Sequence, residues 1–230
     1  MTNNAEQTPN PTTKAGKSSQ APVAKRRRLS STERRQEFII KAVEFFAEEG
    51  FESSTRELAR RLGVTQPLLY RYFPSKDDLI TEVYNHVYLN RWREEWEGLL
   101  SDRSRPVRER VIEFYHAYTD VVFKRDWMRI FLFSGLKGVD INPRYLKLVR
   151  QRILEPIVRE YRFEAGYTDI EPTEHEIQYA WVMHGGIFYF GVRKIIYEAA
   201  SLEDKSFMIE TSLDAFLMQL PKIRDLQKGR

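Results

Sequence analysis

A chain of 230 residues with 42% hydrophobic and 13% aromatic side chains can fill the core of one large or two small domains. It contains no cysteine, which excludes disulfides, zinc fingers and thiol catalysis as organising principles and suits a cytoplasmic setting. The net charge of +4 is lopsided: residues 1–35 hold eight Lys/Arg against Glu6 and Glu33 (+6), leaving 29 basic against 31 acidic residues (−2) elsewhere.

Residues 1–30 are rich in Asn, Thr, Ser, Pro, Gln and Lys and lack an apolar run, which predicts a disordered arm and neither a signal peptide nor a membrane anchor. Lys14, Lys17 and the run Lys25-Arg26-Arg27-Arg28 suit that arm to phosphates or a minor groove, or simply to solubility. A first helix is predicted from Ser31 or Thr32 to Glu49, with Ile39, Ala42, Val43 and Phe46 on one face and Gly50 as its stop. Thr55 reads as the N-cap of a short second helix bearing Leu58, Ala59 and Leu62. Gly63 then turns the chain, and Thr65 caps a third helix that tolerates Pro67 in its first turn. Leu69 and Phe73 face inward on it, leaving Gln66, Pro67, Leu68, Tyr70 and Arg71 at its start and outer side. Ser75, after Pro74, opens a fourth helix whose first turn carries Lys76, Asp77 and Asp78.

This run is the punctuation of a helix-turn-helix, and between Ser31 and Leu79 it resembles the TetR family of bacterial transcription regulators. The resemblance is carried by Thr55, Ala59, Gly63, Val64, Thr65, Tyr70, Tyr72, Phe73, Lys76 and Leu79. It implies a DNA-reading unit at residues 31–80, followed by a helical ligand-binding and dimerisation domain at 81–230 with little sequence signature. In such a unit Gln66 is placed to bond an adenine edge, Pro67 and Leu68 to meet a thymine methyl, and Arg71 to reach guanine or phosphate. Thr55, Thr65, Tyr70, Tyr72 and Lys76 fit phosphate positions, joined by Arg34, Arg35 and Arg56. Tyr72 also reads as plain packing.

Downstream the fourth helix is expected to run on to about Leu100. Its aromatic series Tyr84, Tyr88, Trp92 and Trp96 precesses by about 40° per step, so that one rod serves two cores. Further helices are read from Ser104-Arg105-Pro106, from Asp126 to Leu136, and from Asn142-Pro143, the last kinked at Pro156. A capping box at Thr173 and Glu176 opens a helix to about Ala199, and a last helix spans Leu202 to Leu220 before Pro221. The total is an all-α chain of about nine helices. The helix from Thr173 is apolar on two sides: Ile177, Trp181, His184, Phe188 and Ile195 form one stripe, and Val182, Gly185, Tyr189, Val192 and Ile196 another. Two covers are needed, its own domain and a second subunit. Gly185, Gly186 and Gly191 each cost about 1 kcal/mol in a helix interior and imply close approach of neighbours. Ile177 to Val192, the longest apolar stretch, falls short of the roughly 20 residues needed to span a bilayer.

The four histidines, His86, His116, His175 and His184, form no metal-ligand pair at helical spacing, and no phosphate loop or nucleophile motif exists. No enzyme activity, metal or cofactor is expected. Two functional classes remain. One is a homodimeric repressor, cytoplasmic and nucleoid-associated, paired through its last two long helices and released from a palindromic operator by an apolar or aromatic small molecule. The ligand would occupy a cavity lined by Trp92, Phe114, Tyr118, Phe131, Trp181, His184 and Phe188. The other class is a DNA-binding dimeric scaffold without an inducer. A cavity in the structure favours the first.

Overall fold

The computed structural model describes residues 29–199 and 204–228. The basic arm as far as Arg28, and Leu202 where the last helix was expected to start, lie outside the described residues. Among the described residues there are eleven α-helical and three π-helical segments, which join into ten continuous helices, and there is no strand. One continuous hydrophobic core extends from Phe38 to Leu220.

The first four helices begin on side-chain caps. Ser30 and Glu33 form a capping box for α1 (Ser31–Glu49), which ends at Gly50 with φ +73. Helix α2 (Thr55–Leu62) is capped by Ser54, not by Thr55 as expected. Either side chain is chemically able to cap; Thr55 turns inward instead and is nearly buried. Gly63 adopts the left-handed conformation at φ +68 and Thr65 caps α3 (Gln66–Tyr72), with proline in its first turn. A second capping box, Ser75 with Asp78, opens α4 (Lys76–Tyr84).

The long fourth helix is not one rod. Helix α4 passes into a π-turn (Asn85–Leu89) and stops near Asn90, and the chain resumes as α5 (Glu95–Ser101). Asn85, His86, Val87 and Asn90 are weak helix formers. The break is held from outside, where Tyr88 Oη donates to the Trp127 carbonyl at 3.3 Å and Arg91 pairs with Asp126 at 2.6 Å. This extra break raises the count from nine continuous helices to ten.

Helices α6 (Val107–Val122) and α7 (Arg125–Leu136) follow, then α8 (Asn142–Val149), a second π-turn (Arg150–Leu154) and α9 (Glu155–Glu164). Asn142 does not cap α8; its side chain bonds Ser134 Oγ at 2.7 Å and the Phe131 carbonyl at 2.9 Å, fastening α8 to α7. Pro156 produces no break. It falls in the first turn of α9, where its missing N–H is of no consequence, and the preceding π-turn carries the chain into it. Helix α10 (Glu174–Gly191) starts on the expected capping box and ends in a third π-turn (Val192–Ile196). Helix α11 (Lys205–Lys228) continues past Pro221 instead of stopping before it. Ile209, Leu213, Phe216 and Leu220 are already locked in the core by the preceding three turns.

Helix α10 packs against α11, and α11 against α6. Arg108 on α6 grips Asp214 on α11 at 2.6 Å. The second stripe of α10 is outward-facing only in part: Val182, Gly185 and Tyr189 are exposed, with Gly186 between them and Phe207 and Met218 of α11 beside them, whereas Val192 is buried and Ile196 half-buried where the π-turn takes the chain back to the core. Gly191 is the glycine of close approach, since a Cβ there would collide with Phe123 and with Met128 Cε at 2.5 Å. Gly185 and Gly186 have no atom within 4 Å of a Cβ.

Candidate nucleic-acid interface and interior cavity

Helices α2 and α3 are linked only by Gly63, Val64 and Thr65, so the angle between them is set by one tight turn and a shared apolar floor. Leu69 and Phe73 of α3 and Leu58 and Ala59 of α2 are buried against α1. The opposite side of α3 presents Pro67, Tyr70 and Arg71 to solvent, with Gln66 and Leu68 half-buried. Thr55 is the hub of this surface: its Oγ1 accepts from Gln66 Nε2 at 2.9 Å and shares a hydrogen bond with Tyr70 Oη, also 2.9 Å. Three residues expected to touch DNA independently are thus one hydrogen-bonded unit, and Thr55 itself is 9% exposed.

The other expected phosphate ligands divide by their commitments. Thr65 is exposed at the head of α3, where Oγ1 accepts the Leu68 amide at 3.4 Å. Lys76 Nζ donates to the carbonyls of Phe51 (2.6 Å) and Ser53 (3.1 Å), binding the start of α4 to the loop between α1 and α2. Arg35 pairs with Glu82 at 3.0 Å and lies over the Phe73 ring. Tyr72 is half-buried edge-on to Phe38, with ring centroids 5.2 Å apart. Arg34 is half-buried, whereas Arg56 and Arg71 are exposed and make no ion pair among the described residues. Arg60 and Arg61 are occupied by Glu57 and by Glu48 with Glu49.

This unit is fastened to the rest of the molecule through α7. Arg129 donates to the carbonyls of Ala47 and Glu48 (3.2 Å for the latter), satisfying the exposed end of α1. Phe133, one turn on, covers Gly50.

The opposite face of α7 borders a cavity of about 210 Å³. Five of the seven expected lining residues are there: Tyr118, Phe131, Trp181, His184 and Phe188. Trp92 and Phe114 are not. Phe114 is fully buried between Trp96, Tyr115 and Tyr118, and Trp92 lies edge-on to Trp96 beneath Arg152. Trp127, Tyr145, Leu146, Val149 and Gly185 complete the wall. Trp127–Phe131 and Tyr145–Val149 are i, i+4 pairs, so their spacing placed each beside its partner on one helix face. Burial pushes His184 down to about 4 and keeps the Tyr115, Tyr118 and Tyr145 hydroxyls protonated.

Among the described residues no helix is long and apolar enough to cross a membrane, and no group of three or more His, Asp or Glu is placed to hold a metal ion.

A short helix laid outward over a Gly-turned partner, on a helical body, defines a helix-turn-helix protein. Residues 39–83 match the family model described as bacterial regulatory proteins, tetR family. The match lies within the first four helices, which carry the helix-turn-helix. It is 29% identical over 115 residues to the HTH-type transcriptional regulator HbdR of Aromatoleum sp. (strain CIB), a match covering 50% of this chain and 49% of that protein. The chain therefore spans about half the length of that curated relative. Over the whole fold it is similar to a TetR-like regulator from Rhodococcus sp. RHA1 (TM-score 0.60, 19% identity, covering 84% of this chain and 97% of that one). It is also similar to a tetR-family regulator from Streptomyces coelicolor (TM-score 0.58, 19% identity, 87% of each chain).

Proposed function

We propose that this chain is a sequence-specific DNA-binding transcriptional regulator, working as a homodimer that a small apolar or aromatic molecule releases from a palindromic operator. The observation that carries the reading is the outer surface of α3, where Gln66, Pro67, Leu68 and Arg71 sit on a helix whose inner face is fixed by Leu69 and Phe73. Gln66 and Arg71 read base edges, while Thr65, Tyr70, Lys76, Arg34 and Arg56 follow the backbone. Residues 31–80 form the DNA-reading part, extended by the basic arm, and residues 81–230 sense and dimerise. Support for the dimer comes from the uncharged outer stripe of α10, Val182, Gly185, Gly186 and Tyr189, which the molecule itself leaves uncovered. The cavity favours a sensor over an inducer-free scaffold.

The test is selection of binding sites from random DNA, combined with sedimentation. A near-palindromic site occupied by a two-fold dimer is expected, with recognition helices about 34–36 Å apart when bound. A chain that stays monomeric at micromolar concentration and binds an asymmetric site overturns the proposal. Deleting residues 1–28 is expected to lower both affinity and its salt dependence, and unchanged binding would reduce the arm to a solubilising tail.

A further inference from the structure

The cavity's chemistry is more selective than apolarity alone. No Lys, Arg, Asp or Glu lines it, so a ligand's formal charge would find no counter-ion there and would lose its water. Its polar side-chain groups are a histidine, two tyrosine hydroxyls and the indole N–H groups of Trp127 and Trp181. His184 is 7% exposed, and its Nδ1 lies 3.1 Å from the hydroxyl of Tyr115. Tyr115 is completely buried and has no other hydrogen-bond acceptor among the described residues. Its hydroxyl is satisfied when it donates to Nδ1, and that arrangement places the imidazole proton on Nε2. Nε2 has no protein partner among the described residues. Burial holds the ring neutral, so this proton is present as a donor and not as half of a cation. Tyr118 and Tyr145 hydroxyls bond each other at 2.8 Å, which uses one of their two hydrogens and leaves the other without a protein acceptor. Beside the indole N–H groups, the walls thus hold an unspent imidazole donor and an unspent hydroxyl donor, and no charge.

We infer that the cavity takes an uncharged aromatic molecule with one hydrogen-bond acceptor, such as an aryl ketone, aldehyde or ester, and that His184 Nε2–H is the group selecting for that acceptor. The inference rests on the ligand-sensor reading and adds the ligand's chemistry to it. Size agrees, because an apolar cavity of about 150 Å³ holds a benzene ring; 210 Å³ leaves room for a short substituent. Tyr115 acts through His184, as the positioning residue that fixes which nitrogen carries the proton.

Three probes of nearly equal shape separate the possibilities: acetophenone, its carbon isostere α-methylstyrene, and benzoate. Binding is read by calorimetry and by quenching of tryptophan emission, since Trp127 and Trp181 line the cavity. Acetophenone is expected to bind about tenfold more tightly than α-methylstyrene, the factor for one hydrogen bond to an otherwise unpaired buried donor. At neutral pH benzoate should be the weakest of the three. His184→Phe should bring acetophenone down to the level of α-methylstyrene while leaving the latter's affinity in place. Tyr115→Phe, which frees the tautomer, should narrow the same gap, and melting curves establish that each variant is folded. Equal affinities for all three probes, or tightest binding of benzoate, overturn the inference but leave the cavity a ligand site. Binding of none of them removes the ligand-sensor reading, and the inference with it.

Discussion

The two glycine environments on α10 give opposite expectations for the same substitution. At Gly191 an alanine Cβ would meet the Phe123 ring and would lie 2.5 Å from Met128 Cε, where carbon atoms normally sit about 3.5–4.0 Å apart. The methionine methyl can retreat. The phenylalanine ring, packed against Phe190 at 6.2 Å between centroids, has less freedom to do so. Overpacking of this kind costs about 1–3 kcal/mol, and alanine returns about 1 kcal/mol of helix propensity over glycine. The net loss is about 1 kcal/mol, a fall in Tm of roughly 2–4 °C for a chain of this size. At Gly186 nothing stands within 4 Å of the new Cβ, so only the propensity gain remains and Gly186→Ala should melt a few degrees higher. Thermal unfolding by circular dichroism at matched low concentration reads both. If Gly191→Ala is as stable as Gly186→Ala, the close approach of α7 to the end of α10 is wrong. Gly186→Arg extends the comparison to assembly: sedimentation should show it shifted to monomer, and an unchanged dimer would move the pairing surface away from this stripe.

Substituting Gln66 with alanine should alter base preference in a binding-site selection, whereas Lys76→Ala should weaken all sequences alike and lower the salt slope by about one unit; equal, sequence-independent losses for both would show that Gln66 reads no base. Because Lys76 also holds the Phe51 and Ser53 carbonyls, its alanine variant should melt lower as well, by roughly 1–2 kcal/mol. Arg129→Ala removes the cap on the α1 carbonyls and should cost about 1–2 kcal/mol; a melting temperature equal to that of the parent would deny the α1–α7 fastening any energetic role. His184 is held near 4 by burial, below its unfolded value of about 6.5, so its contribution is complete above pH 6.5 and is lost as pH falls toward 4. The loss reaches about 3 kcal/mol at pH 4, and denaturant titrations across that window should show it for the parent and not for His184→Phe.

The helix-turn-helix was legible because each of its boundaries is written in local chemistry: a left-handed glycine at Gly63, a threonine cap with Pro67 behind it, Ser75 facing Asp78. The single-residue error at Ser54 arose because adjacent serine and threonine are equally able to cap. What decided between them was Tyr70 and Gln66, fifteen and eleven residues away. Beyond Leu79 periodicity indicated that helices form but not where they stop, since the stop near Asn90 is fixed by Trp127 and Asp126 from another helix. The cavity was half legible for a related reason. An aromatic stripe says which side of a helix is inside, but Phe114, Trp92 and Phe131 look alike until three other helices determine where space is left.

The π-turn between α8 and α9 bears on how this protein can change length. A π-turn holds one residue more than the α-turn it replaces. Removing one residue from 150–154 would let the segment relax to an α-turn, with Val149 before it and Ile157 after it keeping their present phase toward the core. Deletion in the middle of a regular helix would instead rotate everything downstream by about 100°. The chain therefore carries, inside an unbroken helix, a place where it can be shortened without being rearranged.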